Sequence, residues 1–217
     1  MTYLWNNGEA IGLPIGKAVC VGRNYVAHAA ELGNEVPTEP LLFLKPASSI
    51  VNAEGEVALD HSLGEHHYEA ELMLLIGKPL NKDNIADYKY CIAGLGVGLD
   101  LTLRDEQAKL KAKGHPWERA KAYDKSCLVS RFVTLAENDL THSEFSLSIN
   151  DELRQSGDTK LMIFKIEQLL SEIVRYFSLQ PGDIVLTGTP EGVGKLNIQD
   201  TLSVSLNGET LANCTIA

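Results

Sequence analysis

Glu69 and Glu71 stand two apart at the head of the run Tyr68-Glu69-Ala70-Glu71-Leu72-Met73-Leu74-Leu75-Ile76. Side chains alternate along a strand, so both carboxylates share a face with Met73 and Leu75, while Ala70, Leu72, Leu74 and Ile76 take the other. Beyond its first residues the segment is apolar on both faces, which leads two like charges toward a core. Burying them unpaired is costly. Protonation, a Lys or Arg partner, or a metal ion would relieve the cost; the alternative is that the start of the strand stays in solvent. Asp100 closes the apolar run Ile92 to Leu99 in the same way, an acid placed where a strand leaves the interior. Three such carboxylates offer hard oxygen ligands, which suits Mg2+, Mn2+ or Ca2+ and leaves positions for water or a chelating substrate. Their spacing does not establish that they converge.

His28 and Glu31 lie three apart on a short predicted helix that Asn24 caps and that runs through Leu32. They share a face on which the carboxylate can orient and polarise the imidazole for acid–base work, although a solvated helix produces the same pair. Two glycine-rich segments fail as nucleotide loops. In Gly94-Leu95-Gly96-Val97-Gly98-Leu99 the last glycine of G-x-G-x-x-G is replaced by Leu99, and Asp100 follows where a helix should start. Strand glycines that permit close backbone approach are the better account. In Thr189-Pro190-Glu191-Gly192-Val193-Gly194-Lys195-Leu196 threonine replaces the first P-loop glycine and leucine the closing Ser or Thr. It reads as a tight loop after a strand, its N–H groups available to an anion. His66 and His67, adjacent on an extended segment, point to opposite faces and would need a bend to share a zinc ion; surface or turn histidines are expected.

The elements that must position these residues are mostly strands: Ala18 to Val21, Leu41 to Leu44, Leu72 to Ile76, Cys127 to Val133, Phe145 to Ile149, Ile184 to Thr187, and Leu202 to Leu206. Besides the short helix at His28, Leu101 to Lys113 reads as helical until Gly114-His115-Pro116 stops it. After Asp158-Thr159 the apolar residues Met162, Ile163, Ile166, Leu169, Leu170, Ile173, Val174 and Phe177 recur at helical spacing, and Pro181-Gly182-Asp183 turns the chain into a new strand. Strands outnumber helices and do not alternate with them, so a doubly wound sheet is disfavoured and a β-dominated α+β fold is expected. No repeat, linker or charge block divides residues 1–217, which read as one domain.

Nineteen Lys and Arg oppose 29 Asp and Glu, a net charge of −10, so a nucleic-acid partner is not expected, and a small anionic substrate needs a local cation. No stretch has the apolar length of a membrane span, and the first residues do not resemble a secretory leader, so a cytoplasmic protein is expected. The four cysteines have no metal or redox spacing and are expected to be reduced and buried.

Taken in order, several blocks resemble the fumarylacetoacetate hydrolase family, in particular its small single-domain acylpyruvate hydrolase and oxaloacetate decarboxylase branch. They are Val21-Gly22-Arg23-Asn24-Tyr25 with His28, Phe43-Leu44-Lys45-Pro46, Glu69-Ala70-Glu71-Leu72, Gly98-Leu99-Asp100-Leu101-Thr102-Leu103-Arg104-Asp105, Lys121-Ala122-Tyr123-Asp124 and Leu186-Thr187-Gly188-Thr189-Pro190-Glu191-Gly192-Val193-Gly194. The resemblance implies a mixed, rolled β-sandwich with peripheral helices, assembled as a homodimer. It implies that Glu69, Glu71 and Asp100 bind a divalent ion, normally Mg2+ or Mn2+, with Ca2+ also compatible. Lys121 matches a lysine that stabilises developing negative charge. Arg23, Lys45, Arg104, Gln107 and Thr189 match substrate-binding positions, and Arg23 to Leu32 matches a mobile lid carrying His28 and Glu31 as the acid–base pair. Leu128 departs from a proline common in close relatives and touches none of these positions.

The activity implied is metal-dependent C–C bond cleavage of small 2-oxo acids through an enolate. Acylpyruvate hydrolysis comes first, with oxaloacetate decarboxylation at the same site. Alternatives are oxaloacetate keto–enol tautomerisation, an isomerase or decarboxylase of homocatechol breakdown, and a non-catalytic metal- or metabolite-binding module.

Overall fold

The computed structural model describes residues 1–135 and 140–217. Its strands begin with β1 (Ala18–Gly22), β2 (Leu41–Lys45), β3 (Ile50–Asn52), β4 (Gly55–Val57), β5 (His66–Tyr68) and β6 (Ala70–Ile76). They continue with β7 (Ile92–Asp100), β8 (Thr102–Leu103), β9 (Cys127–Val129), β10 (Val133–Thr134) and β11 (Glu144–Ile149). The last are β12 (Glu152–Asp158), β13 (Ile184–Leu186), β14 (Gly194–Lys195), β15 (Thr201–Leu206) and β16 (Glu209–Ile216). Helices are short: α1 (Val26–Glu31), α2 (Tyr88–Cys91), α3 (Arg104–Lys113), α4 (Glu118–Lys121) and α5 (Ile166–Tyr176). The fold is β-dominated α+β, as expected from the sequence.

All seven residues of β6 are buried because both faces of its sheet are covered. β6 lies between β13 and β7 in an eight-stranded sheet of order β2-β1-β13-β6-β7-β9-β3, with β10 also paired to β7. The sheet is mixed, since β1 runs parallel to β13 and β3 to β9. A second sheet, β12-β11-β15-β16-β4, packs over one face. There Leu72, Leu74 and Leu95 share a core with Leu147, Val204 and Leu206, and Ile166, Leu170 and Ile173 of α5 join it. On the other face Met73 and Leu75 meet Cys20, Phe132, Ile184 and Leu186. Each of these Leu and Ile side chains contributes roughly 1.5–3 kcal/mol by leaving water.

The glycines of β7 serve this second face. A Cβ on Gly98 would sit 2.3 Å from Leu186 Cδ2, so only glycine lets that leucine cross the strand. A third sheet, β14-β5-β8, closes the end of the sandwich where β6 starts and β7 stops. It takes the chain immediately before Glu69 and just after Asp100, and so it holds both acids at one end of the molecule.

Local differences from the sequence reading have definite causes. The run Cys127 to Val133 is two strands, because β7 pairs with β9 at Gly98–Val129 and with β10 at Leu95–Val133, one extra residue on the second chain. Ser130 fills that bulge, its Oγ accepting the Val97 N–H at 2.9 Å. Helix α3 starts at Arg104, since Thr102 and Leu103 pair with β5. Its end is as expected, with Gly114 in the left-handed conformation. Helix α5 starts at Ile166, where Gln168 Oε1 accepts the Lys165 N–H at 2.9 Å. Asn24 does not cap α1; Tyr25 occupies the cap without a side-chain bond. Asn24 is fully buried, donates to Thr187 O at 2.8 Å and accepts from Phe164 N at 2.8 Å, and so fastens the base of α1 to two distant loops. The four cysteines are free and buried. Among the described residues no helix is long and apolar enough to cross a membrane.

Candidate active site

The β6–β7 hairpin decides where the acids go. Glu69 precedes β6, Glu71 faces Gly98 across the ladder, and Asp100 ends β7, its N–H bonded to Glu69 O at 2.8 Å. The three carboxylates converge, with an oxygen of each within 4.8 Å of the others. They are 5%, 1% and 1% exposed, so the strand start is not in solvent.

Lys121, from α4, donates to Glu69 Oε2 at 2.8 Å and Asp100 Oδ2 at 2.7 Å, and its ammonium stands 5.1 Å from the centre of the Phe43 ring. Burial raises the Glu69 carboxyl's pKa, but Lys121 and Arg104 outweigh it and hold the group well below the usual carboxylate range. Burial likewise opposes the Lys121 charge, but Asp100 and Glu69 outweigh it and keep the ammonium protonated well above the usual range. Glu71 goes the other way. Burial, then the charges of Asp100 and Glu69, push it well up, and among the described residues only the Gly188 N–H at 2.6 Å offers it a hydrogen bond.

Lys45 departs from its expected role. It is fully buried beneath the acids and does not line the cleft. Its Nζ donates to the carbonyls of Leu101, Lys121 and Ser126 and stands 2.8 Å from Asp100 Oδ1. The contact to Asp100 is an ion pair, and Oδ1 is a buried oxygen without a hydrogen bond. That oxygen, ion-paired but without a hydrogen bond, and the cation-poor Glu71 fit a hard divalent ion held by Glu69, Glu71 and Asp100. The nearby thiols do not compete: burial raises Cys20 well up and Cys127 to about 12, away from the thiolate a soft metal needs.

Helix α1 lies over this floor. His28 is 4% exposed, its Nδ1 3.2 Å from Glu31 Oε2, while Glu31 Oε1 accepts the Gly192 N–H at 3.1 Å. The loop after β13 thus does meet anions through its N–H groups, but they are the protein's own Glu71 and Glu31. Thr189 lines the cleft with its hydroxyl donating to Ala70 O and accepting from Gln155. Arg104 binds Glu69 Oε1 at 2.6 Å and Gln107 Oε1 at 2.9 Å. Arg23 lines the cleft at φ +60°, a strained value for a bulky residue. The free space is about 40 Å3.

Phe43, Trp117, Asn34 and Lys111 also line the cleft and were not singled out from the sequence. Lys111 was within reach, since Arg104, Gln107 and Lys111 recur at i, i+3 and i+7 on α3. His66 is not a surface histidine. It is 1% exposed, its Nε2 donating to Asp60 O at 3.1 Å and its Nδ1 accepting from the Tyr123 hydroxyl at 2.9 Å. Burial lowers its pKa and keeps it neutral.

A buried acid triad at the open end of a curled mixed sandwich, beneath a helix carrying a His–Glu pair, defines a class of enzyme site, and comparison with known proteins identifies the class. The model of the fumarylacetoacetate (FAA) hydrolase C-terminal family matches residues 17–216, and the chain belongs to this family. It is 45% identical over 206 residues, 94% of each chain, to the oxaloacetate tautomerase YcgM of Escherichia coli. It is 36% identical to the mitochondrial oxaloacetate decarboxylase of Dictyostelium discoideum, over 96% of this chain and 93% of that one. Among solved structures it resembles fumarylpyruvate hydrolase from Pseudomonas aeruginosa in complex with Mn2+ and pyruvate, at a TM-score of 0.91 and 33% identity, covering 100% of this chain and 95% of that one.

Proposed function

We propose that this protein is a divalent-metal-dependent enzyme of small 2-oxo acids and that its reaction is keto–enol tautomerisation of oxaloacetate. The observation that carries this reading is a buried imidazole, steadied by a carboxylate, over three acids and a lysine in a cleft of about 40 Å3. The similarity to YcgM supports it. Glu69, Glu71 and Asp100 would hold Mg2+ or Mn2+. When bound, such an ion supplies electrostatic stabilisation of negative charge developing on a 2-oxo oxygen.

The chain's own residues handle the proton. Glu31 accepts a hydrogen bond from His28 Nδ1–H, which leaves the lone pair on Nε2. Tautomerisation moves one proton from C3 to the C2 oxygen, and Nε2 accepts and returns it, a contribution of about 10²–10⁴-fold. Lys121, held cationic by its two acids, contributes fixed positive charge. Phe43 and Trp117, with ring centroids 6.0 Å apart, wall the cleft against water. Loss of CO2 from oxaloacetate breaks its C3–C4 bond, leaves the enolate of pyruvate, needs no base and belongs to the same floor.

Acylpyruvate hydrolysis is the second reading. An apolar groove of about 510 Å3, lined by Leu42, Leu44, Trp117 and Phe177, adjoins the cleft along Phe43 and Lys121 and offers room for an acyl chain. There His28 would deprotonate a water for attack on the distal carbonyl, releasing a carboxylic acid and pyruvate. The homodimer and the cytoplasmic location are likewise proposals, and light scattering of the purified protein tests the first.

The deciding experiment strips the protein of metal, restores Mg2+ or Mn2+, and follows the ultraviolet enol absorbance of oxaloacetate alongside pyruvate release from oxaloacetate and from acetylpyruvate. Metal-dependent enol decay that outpaces pyruvate release is expected. Faster pyruvate release from acetylpyruvate would transfer the assignment to hydrolysis, and no metal dependence would overturn both.

A further inference from the structure

Three cationic side chains, Arg23, Arg104 and Lys111, face one small cleft in a protein of net charge −10. Only Arg104 is neutralised, by Glu69 at 2.6 Å. Lys111 reaches no acid, its contact being the Asn34 side-chain oxygen at 3.4 Å. Arg23 makes no hydrogen bond or ion pair among the described residues. The three feel one another, since burial, then Arg23 and Arg104, hold the Lys111 ammonium below the usual lysine range. Arg23 keeps its place at φ +60°, a conformation that costs a bulky residue about 1–3 kcal/mol and persists where the surroundings require it.

We propose that Arg23, Arg104 and Lys111 form a second anion subsite that selects 2-oxo acids bearing a distal carboxylate over those without one. The assignment rests on the reading of the cleft as a site for small 2-oxo acids and names the class among them: the dicarboxylates. Lys121 is committed to Glu69 and Asp100 on the floor, so a second carboxylate finds its counter-charge only among these three groups. The subsite also joins two parts of the chain. Arg23 and Asn34 flank α1, whereas Arg104 and Lys111 belong to α3. With nothing between them their like charges oppose one another; a carboxylate reverses the sign of that interaction and draws α1 toward α3. A monocarboxylate, its single charge used at the floor, leaves the repulsion in place.

Malate and lactate differ by one distal carboxylate, and neither carries the 2-oxo group, so the pair isolates the subsite. Calorimetric titration of the Mn2+-loaded protein with each is expected to give wild-type affinity for malate about tenfold tighter than for lactate at low salt. Lys111→Met should erase most of that difference and leave lactate affinity unchanged; Lys111→Arg should keep it. Equal wild-type affinities would overturn the subsite, as would a Lys111→Met loss shared equally by both ligands. A wild-type preference for malate without turnover of any 2-oxo acid would uphold the subsite and overturn the functional reading. The converse result, turnover of oxaloacetate with no preference for malate, would do the reverse.

Discussion

The floor of the site and its roof are built on opposite principles. Glu69, Glu71, Asp100, Lys45 and Lys121 lie on or beside interior strands and a short buried turn of helix, each at most 5% exposed and all but Glu71 held by several partners. Helix α1 has six residues, no side-chain cap and an outer surface on which Val26 is 55% exposed. The acid–base pair proposed there, His28 and Glu31, depends on one contact within the helix and one backbone N–H from Gly192. The division suits the work proposed for each. Fixed charge acts most strongly where water and motion are excluded. The proton carrier proposed for the roof must admit and release substrate, which suits a short and loosely held element.

Substitutions in the floor should therefore abolish everything, and those in the roof only what needs a proton carrier. The largest effect is expected from Asp100→Asn, which removes a proposed metal ligand and half of the Lys121 clamp. Turnover of every 2-oxo acid should fall about a thousandfold or more, and Mn2+ affinity should fall with it by calorimetry. Retained metal binding would detach Asp100 from the triad.

Lys45→Met tests the floor from beneath. Leaving Asp100 and three carbonyls without their ammonium should cost about 3–5 kcal/mol in urea unfolding of the metal-free protein. A loss below about 1 kcal/mol, the ordinary range for a surface pair, would show that the buried lysine is dispensable.

His28→Ala should slow enol–keto interconversion of oxaloacetate about a hundredfold or more while pyruvate release from oxaloacetate changes by only a few fold, with metal affinity retained. Equal loss of both would break the contrast between roof and floor. Glu31→Gln should be mildest. The amide still accepts from Gly192 but orients the imidazole less strongly, and a loss of about tenfold in kcat with KM nearly constant is expected.

Much of this protein is legible in its sequence, for reasons that are local. Alternation and apolar content mark β6 as doubly buried, the glycines of β7 announce close approach, and Gly114 ends α3 by its left-handed conformation. Residue types alone nominate hard oxygen ligands and a His–Glu pair, and the ordered blocks point to the family. What local pattern does not contain is which distant group each polar atom meets. Asn24 has the composition of a cap and serves instead as a clasp for residues 140 and 163 positions away. Lys45 sits among residues that match a substrate motif, yet its ammonium is consumed by carbonyls 56 to 81 residues on. The loop at Gly188 to Gly194 offers its N–H groups to anions, and only the packed structure shows those anions to be Glu71 and Glu31.

The physical reason is common to these cases. Periodicity and propensity act over a few residues and set which side chains are buried and which stretches are strand or helix. Hydrogen bonds and ion pairs are satisfied by whatever the strand order brings alongside, and burial, by making each unmet polar group costly, selects the single arrangement in which nearly all are met. The sequence by itself therefore determined the elements, the chemistry on offer and the family. The tertiary structure decided that the three acids meet, that one lysine faces the cleft while the other supports it, and which cations of the cleft face no acid.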